Sequence, residues 1–140
     1  RTSAFFGPWD QANFVWAVTE AARAKQPIRV AGDTIVSPTY VPDLVHASLD
    51  LLIDRASGIW HLSNNEPVSW AEFARWSLDA VGIAHYELDE CEMEHLQLPA
   101  RRPKFTALSS SRSKPLLPCL HDALQRYACE TTSRLATVSL

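Results

Sequence analysis

The 140-residue sequence predicts an α/β fold, and two observations carry that prediction. Short apolar segments typical of strands alternate with segments of helical periodicity, which is the pattern of an α/β arrangement. Hydrophobic residues make up 46% of the chain and charged residues 21%, which is ordinary globular usage and allows a real core. The predicted strands are short and few, and those near Phe5 and Trp60 are apolar enough to lie inside a larger sheet.

The first strand and the first helix flank a turn. Residues 1–6 have the composition of a strand, and the glycine and proline at 7–8 predict a turn after it. Apolar residues then recur at helical spacing over 13–25. Asp10 or Asn13 is the expected N-cap of this helix, because either side chain can accept from free backbone N–H groups.

A second strand and a second helix follow. Residues 27–30 form the strand, and 35–40 are extended because a proline at position 38 keeps its predecessor out of helical geometry. The next helix covers 44–54, with Asp43 as its expected N-cap. Apolar residues occupy most of the circumference of this helix, so we expect it to be buried on more than one side.

The third helix has the clearest boundaries in the sequence. Residues 58–63 alternate between two faces, which predicts a strand before it. Ser69 and Glu72 have the spacing of a capping box, so the helix should begin there and run to about Val81. Gly82 stands where a left-handed helix terminator is expected.

The remaining chain contains one more helix of clear periodicity. Residues 86–89 are a candidate strand, and 90–98 are ambiguous. Apolar residues recur at helical spacing from Leu120 onwards. We therefore expect one domain over 1–130 and a disordered, Ser- and Thr-rich tail over 131–140.

Charge and composition exclude several classes of protein. Thirteen Lys and Arg against sixteen Asp and Glu give a net charge of -3, and no basic stripe favours nucleic-acid binding. No apolar run approaches the roughly 20 residues of a membrane helix, and the first residues lack the layout of a signal peptide. Three cysteines at irregular spacing argue against a disulfide framework and suit the cytoplasm. The start without Met suggests a piece of a longer protein.

The spacing of the glycines excludes the common glycine-rich motifs that bind nucleotides. Gly7, Gly32, Gly58 and Gly82 stand too far apart for GxGxxG or a phosphate loop, and GxSxG is absent as well. Cysteine and histidine occur as two loose groups, which we interpret as incidental surface residues because zinc sites show tighter pairing. These groups are Cys91 with His95 and Cys119 with His121.

Three places in the sequence could contact a ligand. Arg101 and Arg102 form a compact cationic loop, which could bind phosphate bidentately or be a solvated pair. Asn13, at a helix N-terminus, could meet an anion or only cap the helix. Trp9 follows a turn and is the tryptophan most suited to stack on a sugar, although core packing is the commoner role.

An ordered set of motifs resembles the family of dTDP-4-dehydrorhamnose reductase, an extended short-chain dehydrogenase. The resemblance covers about residues 1–128 and is strongest in SPTYVPDL followed by ARRP. The matching segments are RTS and FG at 1–7, NFV at 13–15, SPTYVPDL at 37–44, GIWHL at 58–62, SWAEFA at 69–74 and ARRP at 100–103.

The resemblance implies the C-terminal substrate-binding part of an extended Rossmann-type reductase that lacks the dinucleotide-binding half. The family reduces 4-keto sugar nucleotides with NADPH, in dTDP-rhamnose biosynthesis. Its other half carries the glycine-rich loop and a YxxxK pair, in which Tyr donates the proton and Lys lowers its pKa. No YxxxK can be written here, so we expect no catalytic residue, no cofactor-binding residue and no activity of this chain alone.

The resemblance also places candidate substrate contacts. Arg101 and Arg102 match ARRP near the sugar-nucleotide cleft, Asn13 begins a helix that borders it, and Thr39 lies in the SPT loop. The family commonly has a tryptophan where this chain has Ala4, so Phe5 or Trp9 would supply the surface for the sugar. The same departure leaves open that the parent is a related reductase or epimerase of another sugar nucleotide.

Two further interpretations stay open at this point. The chain could be a stand-alone, non-catalytic module that binds a sugar nucleotide or associates with itself as a homodimer. It could also be an unrelated α/β domain with accidental motif matches. If the chain is instead part of a reductase, as the resemblance implies, its partners are a dTDP-sugar or related sugar nucleotide and an N-terminal Rossmann half, on the same or a separate chain.

Overall fold

The computed structural model describes residues 1–110 and 116–138 and confirms the predicted α/β fold. No helix in these two ranges is long and apolar enough to cross a membrane. The elements, in chain order, are β1 (Phe5–Phe6), α1 (Phe14–Arg23), β2 (Ile28–Ala31), β3 (Ile35–Val36), β4 (Thr39–Tyr40), α2 (Val41–Ile53), β5 (Val68–Ser69), α3 (Trp70–Ala80), β6 (Leu88–Cys91), a 3-10 turn (Met93–Leu96) and α4 (Leu120–Val138).

The strands form three small sheets of two strands each within the described ranges. Strands β1 and β4 are parallel, with Phe5 opposite Thr39. Strands β2 and β6 are also parallel, with Ile28 opposite Leu88, whereas β3 and β5 are antiparallel. Parallel pairs need long crossovers, and the helices of this chain provide them.

The two larger hydrophobic clusters of the described residues lie on either side of α3, and a third, smaller one contains Ala47, Leu62 and Leu117. On one side Phe73 meets Phe6 and Phe14, with ring centroids 5.5 and 5.3 Å apart. Tyr40 and Tyr127 belong to the same cluster, and both are almost fully buried. On the other side the buried Ala71, Ala74 and Leu78 pack with residues of α1 and β2: Val18, Ala22, Ile28 and Val30.

The structure confirms the predicted capping residues at the start of α1 and at both ends of α3. The Asn13 side chain accepts a hydrogen bond from the N–H of Trp16, which confirms it as the N-cap of α1. Ser69 and Glu72 form both bonds of the capping box at α3. Gly82 follows α3 with a φ of 75°, the left-handed conformation expected of a terminator.

Two predictions around the second helix were wrong. Helix α2 begins at Val41, so Asp43 lies inside its first turn and makes no cap; the N-cap residue is Tyr40, without a side-chain hydrogen bond. The helix is also less buried than expected. Its apolar residues Val45, Leu49, Leu52 and Ile53 are 48 to 77% exposed. Apolar residues around most of the circumference of α2 therefore do not mean that this helix is buried on several sides.

Two further segments differ from the sequence prediction. Residues 58–63 form no strand, although the N–H of Leu62 donates to the carbonyl of Arg1 at 2.8 Å. Helix α4 continues to Val138, through most of the range predicted as a disordered tail. The hydroxyls of Thr131 and Thr132 there donate to carbonyls four residues earlier. Residues 139–140 of the predicted tail lie outside the described ranges.

Candidate functional site

A cavity of about 650 Å³ opens where β1, the start of α1, the β2–β3 region and the segment 93–106 meet. Its volume lies within the range of small-molecule sites, roughly 300–1,000 Å³. The lining combines aromatic and aliphatic side chains with a few polar groups. It comprises Ser3, Ala4, Phe5, Asp10, Ala12, Asn13, Phe14, Arg29, Val30, Ala31, Thr34, Val36, Trp70, Met93, Leu96, Leu98, Arg102, Pro103 and Thr106.

A second cavity of about 560 Å³ lies beside the first and shares part of its wall. Met93, Leu98 and Arg102 line both cavities. The second cavity is rich in charge, because Arg101 and Lys104 line it together with Glu94. The cationic loop predicted from the sequence therefore lies at the junction of the two cavities.

Asn13 lies at the first cavity but has its side-chain polar atoms engaged. Its Oδ1 accepts from the N–H of Trp16 at 3.0 Å. Its Nδ2 donates to the carbonyl of Gly7 at 3.0 Å and also to the carbonyl of Asp10. The side chain is 4% exposed. Asn13 thus ties the 7–10 turn to the start of α1, which forms one wall of the cavity.

The other two predicted contacts lie apart from the loop. Thr39 is fully buried in β4, and its hydroxyl donates to the carbonyl of Ser37 and accepts from the Thr2 hydroxyl at 3.0 Å. Trp9 is 56% exposed and lies outside the two cavities described above. Phe5, the alternative to Trp9 for a sugar surface, is half exposed and lines the first cavity. The structure thus brings Asn13, Arg101 and Arg102 to the cavities, and it places Thr39 and Trp9 elsewhere.

Arg29 lines the first cavity, although no sequence motif indicated it as a ligand contact. It lies on β2 between the buried Ile28 and Val30, and its guanidinium pairs with Asp89 at 3.3 Å. The side chain is 54% exposed, so it can reach solvent in the cavity. The sequence does contain an indication of this position: side chains alternate along a strand, so Arg29 points to the face opposite Ile28 and Val30. Trp70 packs against the cluster around Phe73 and contributes to the cavity wall as well.

The carboxylate of Asp33 contacts the segment that carries the cationic loop. One oxygen accepts from the N–H of Met93 at 2.8 Å, and the other lies 2.9 Å from the ammonium of Lys104. The hydrogen bond from Lys104, followed by that from the Met93 N–H, holds the pKa of Asp33 below its ordinary value. The same pairing raises the pKa of Lys104. Both groups are therefore charged near neutral pH.

Metal-ligating residues do not cluster in the described ranges: no group of three or more His, Cys, Asp and Glu could hold an ion there. Cys91, Cys119 and Cys129 are free thiols. The polar side chains that line the two cavities carry guanidinium, ammonium, carboxylate, amide and hydroxyl groups.

The fold and its cavities define a small α/β domain with an open cleft bordered by guanidinium groups. The chain belongs to the RmlD substrate binding domain family, whose family model matches residues 1–131. This match confirms the family resemblance read from the sequence motifs.

Two curated relatives are similar over most of this chain. A dTDP-4-dehydrorhamnose reductase of Mycolicibacterium smegmatis is 34% identical over 114 residues, which are 81% of this chain and 35% of the relative. The spore coat polysaccharide biosynthesis protein SpsK of Bacillus subtilis is 36% identical over 109 residues, 78% of this chain and 38% of the relative. The chain thus spans little more than a third of the length of these relatives.

Solved structures show the same architecture. The crystal structure of dTDP-4-dehydrorhamnose reductase from Bacillus anthracis, in complex with NADP, superposes with a TM-score of 0.85 at 28% identity. The match covers 94% of this chain and 47% of the reductase chain. The structure described here therefore corresponds to about half of that reductase.

Proposed function

We propose that this chain is the substrate-binding part of an NADPH-dependent reductase of 4-keto sugar nucleotides, similar to dTDP-4-dehydrorhamnose reductase. The observation that carries the proposal is the cleft itself: Arg102 stands at the junction of two adjoining cavities within a domain of this family. We assign the natural ligand to the dTDP-sugars, because the reductases that this chain resembles are named for one.

The side chains that line the two cavities are of the types that bind a sugar nucleotide. A diphosphate needs cationic donors, and guanidinium groups bind its oxygens through paired, charge-assisted hydrogen bonds. Arg101 and Arg102 offer such groups from the loop, and Arg29 offers one from β2. Sugar and base rings pack on apolar side chains, which Phe5 and Trp70 supply in the first cavity. We therefore propose that the diphosphate lies near the loop and the sugar nearer β1.

Cofactor binding and catalysis belong, in this proposal, to a separate part of the parent protein. This chain has neither the glycine-rich loop nor a YxxxK pair, so its residues do not fit a dinucleotide site of that type. NADPH would supply a hydride to the C4 carbonyl of the sugar. The contribution of this chain is to bind the sugar nucleotide and hold that carbonyl in place for the transfer.

The test of the binding role is a pair of arginine variants in the full-length protein that contains this chain. Arg102→Gln should weaken the affinity for dTDP by about 1.5–3 kcal/mol, the usual contribution of a hydrogen bond to a charged group. Arg55→Gln removes an exposed guanidinium next to the end of α2 and should leave that affinity unchanged. Isothermal titration of dTDP measures both. Unchanged affinity in Arg101→Gln as well as Arg102→Gln would remove the loop from the site.

The test of the reaction uses the same full-length protein. It should oxidise NADPH when given dTDP-4-dehydrorhamnose and should form dTDP-rhamnose, detectable by mass spectrometry. Arg102→Gln should raise KM more than it lowers kcat if the guanidinium binds substrate and transition state alike. Absence of turnover with dTDP-linked and UDP-linked 4-keto sugars would exclude the reductase proposal.

A second candidate function is a self-associating, non-catalytic module. The observation that favours it is the row of exposed apolar residues on α2, since contiguous apolar surface is often an interface. Sedimentation equilibrium of the full-length protein distinguishes this candidate by its mass. A dimer without NADPH oxidation would support the module, and a monomer would exclude it.

We also propose a cytoplasmic location and no nucleic-acid partner. The three cysteines are free thiols, which suits a reducing compartment. The net charge of -3 gives no attraction to a phosphate backbone. Cell fractionation of the source organism with an antibody against the chain checks the location.

A further inference from the structure

We propose that Asp33 is a positioning residue that clamps both ends of the segment 93–104 and thereby places Arg101 and Arg102 for an anionic ligand. The inference rests on the proposed function for its ligand, the diphosphate of a sugar nucleotide. The restraint of the segment by Asp33, which we call the clamp, is supported by the contacts of Asp33 alone and does not depend on the ligand.

The two contacts of Asp33 lie eleven residues apart along the chain. Oδ1 accepts from the N–H of Met93 at 2.8 Å, and Oδ2 pairs with the ammonium of Lys104 at 2.9 Å. Met93 and Lys104 are the first and last residues of the segment. A single carboxylate, at the turn between β2 and β3, thus holds the two ends together.

The interior of the segment 93–104 contains little regular structure. Its regular structure is one 3-10 turn, Met93–Leu96, and residues 97–104 are exposed. Backbone bonds anchor its flanks: the N–H of Gly32 donates to the carbonyl of Cys91, and the N–H of Ile35 donates to that of Lys104. Asp33 lies between these two anchors and adds a contact at each end of the loop.

The segment 93–104 carries residues that line both cavities. Met93, Leu98 and Arg102 line both cavities, and Arg101 lines the second. The exposed guanidinium groups gain affinity for a diphosphate only if the loop presents them in a constant position, because ordering a mobile loop on binding opposes association. If Asp33 already restrains the loop before binding, less conformational entropy is lost when the ligand binds, and the affinity is higher.

Positioning and simple electrostatics predict opposite effects of one substitution. Asp33→Asn removes a negative charge beside a cationic pocket and frees the Lys104 ammonium. Coulomb attraction alone would therefore make an anion bind more tightly. The Asn oxygen can still accept from the Met93 N–H, but the ion pair that holds the Lys104 end is lost. A clamp weakened at that end instead makes the loop more mobile and the anion bind more weakly. The sign of the change in affinity separates the two roles.

The experiment compares Asp33→Asn with Glu20→Gln in the full-length protein. Glu20 forms an exposed ion pair with Arg23 on α1, also at 2.9 Å, and lies outside the two cavities, so the control loses the same charge. The two readouts are the initial rate of trypsin cleavage after Arg101, without ligand, and the dissociation constant of dTDP by titration.

The expected result is that Asp33→Asn is cleaved up to about fivefold faster and binds dTDP up to about fivefold more weakly, the factor for a partly exposed ion pair. Glu20→Gln should match the wild type in both. Unchanged cleavage, or tighter binding of dTDP, in Asp33→Asn overturns the proposal. If the wild type binds no dTDP, the proposed function fails, and the cleavage rates alone decide the clamp.

A second variant keeps the clamp testable if Asp33→Asn does not fold. Lys104 is 63% exposed, so Lys104→Met leaves the core untouched. It breaks the contact at the second end and leaves the Met93 bond in place. Cleavage after Arg101 should then rise, while amide exchange at Met93–Leu96 stays at the wild-type rate. Equal rates of cleavage in Lys104→Met and wild type would contradict the clamp.

Discussion

The guanidinium of Arg126 on α4 forms a two-pronged ion pair with the carboxylate of Asp43 on α2, with N–O distances of 2.6 and 2.8 Å. The Asp43 side chain is 5% exposed and that of Arg126 is 36% exposed. Asn64 donates a further hydrogen bond to Asp43 at 2.8 Å. The hydrogen bond to Asp43 is the largest cause of the raised pKa of Arg126. This pair joins two helices that are distant in sequence.

Removing the guanidinium should destabilise the fold because it leaves the buried Asp43 carboxylate with fewer partners. We expect Arg126→Met to lower the free energy of unfolding by about 2–4 kcal/mol. Breaking a fully buried ion pair costs about 3–5 kcal/mol, and the loss should be smaller here because Arg126 is partly exposed. The matched control is Arg23→Met, which breaks a surface pair and should change stability by less than about 1 kcal/mol. Urea unfolding measures both. Equal losses would mean that the pair with Asp43 contributes no more than a surface contact.

Asn64 should be sensitive to an isosteric change to a carboxylate. It is fully buried; its Oδ1 accepts from the N–H of Tyr40 at 2.7 Å, and its Nδ2 donates to Asp43 and to the carbonyl of Pro118. Asn64→Asp would place two carboxylates together, so we expect a loss of about 2–4 kcal/mol near neutral pH. Below about pH 5 the loss should shrink, because a protonated carboxyl can donate to its neighbour.

The control for this change is the next residue along the chain. Asn65 is exposed, has a φ of 61° and donates to the carbonyl of Leu117 at 3.0 Å. Asn65→Asp should lose about 1 kcal/mol or less, with no recovery in acid. Urea unfolding at several pH values compares the two variants. A pH-independent loss in Asn64→Asp would argue against charge repulsion as the cause.

Two buried tyrosines should make the fold sensitive to alkali. Burial, aided by a hydrogen bond to Glu130, raises the pKa of Tyr40, and burial raises the pKa of Tyr127. A phenol with a raised pKa in the folded state contributes stability that is fully present below its ordinary pKa of about 10. That contribution is lost as the pH rises through the folded value, because the unfolded chain releases the proton first.

Tyr40→Phe tests this dependence because it keeps the ring and removes the proton. We expect the unfolding free energy of the variant to fall less steeply above about pH 10 than that of the wild type. Tyr86→Phe, at a partly buried tyrosine, is the control and should keep the wild-type slope. Unfolding in urea at a series of alkaline pH values gives the slopes. Identical slopes in all three proteins would exclude Tyr40 as the source.

The capping box at α3 should contribute measurably to stability. The Ser69 hydroxyl accepts from the N–H of Glu72 at 3.1 Å, and the residue is buried. Ser69→Ala should cost about 1–2 kcal/mol, the upper part of the range for N-caps. Ser48→Ala changes an exposed serine inside α2 and should be neutral or slightly stabilising, because alanine is the better helix former. Thermal unfolding of the two variants measures the difference.

Local signals predicted the parts of the fold that local chemistry decides. Asn13 caps α1 and Ser69 caps α3 because each side chain reaches backbone groups three residues away, within the same stretch of sequence. Asp43 has the same chemistry, but its carboxylate binds Arg126 instead, 83 residues away. No local rule distinguishes these two uses of a short polar side chain, because the competing partner comes from another part of the chain.

The candidate site could be predicted only in part, for the same reason. The adjacent arginines Arg101 and Arg102 were visible as a cationic loop, and the structure places both at the cavities. Arg29 and Asp33 were not recognised, because their relevance depends on the segment 93–104 lying over β2 and β3. Alternation predicted a strand over 58–63, but a strand also needs a neighbour to pair with, which periodicity does not specify.

The sequence by itself determined the α/β class, the caps of α1 and α3, the family and the cationic loop, since each depends on residues close together in the chain or on ordered motifs. Only the tertiary structure decided the pairing of β2 with β6, the ion pair of Asp43 and the cavity between β1 and the loop. These features join residues tens of positions apart. Their formation depends on which surfaces pack together, and that is a property of the whole chain rather than of any one segment.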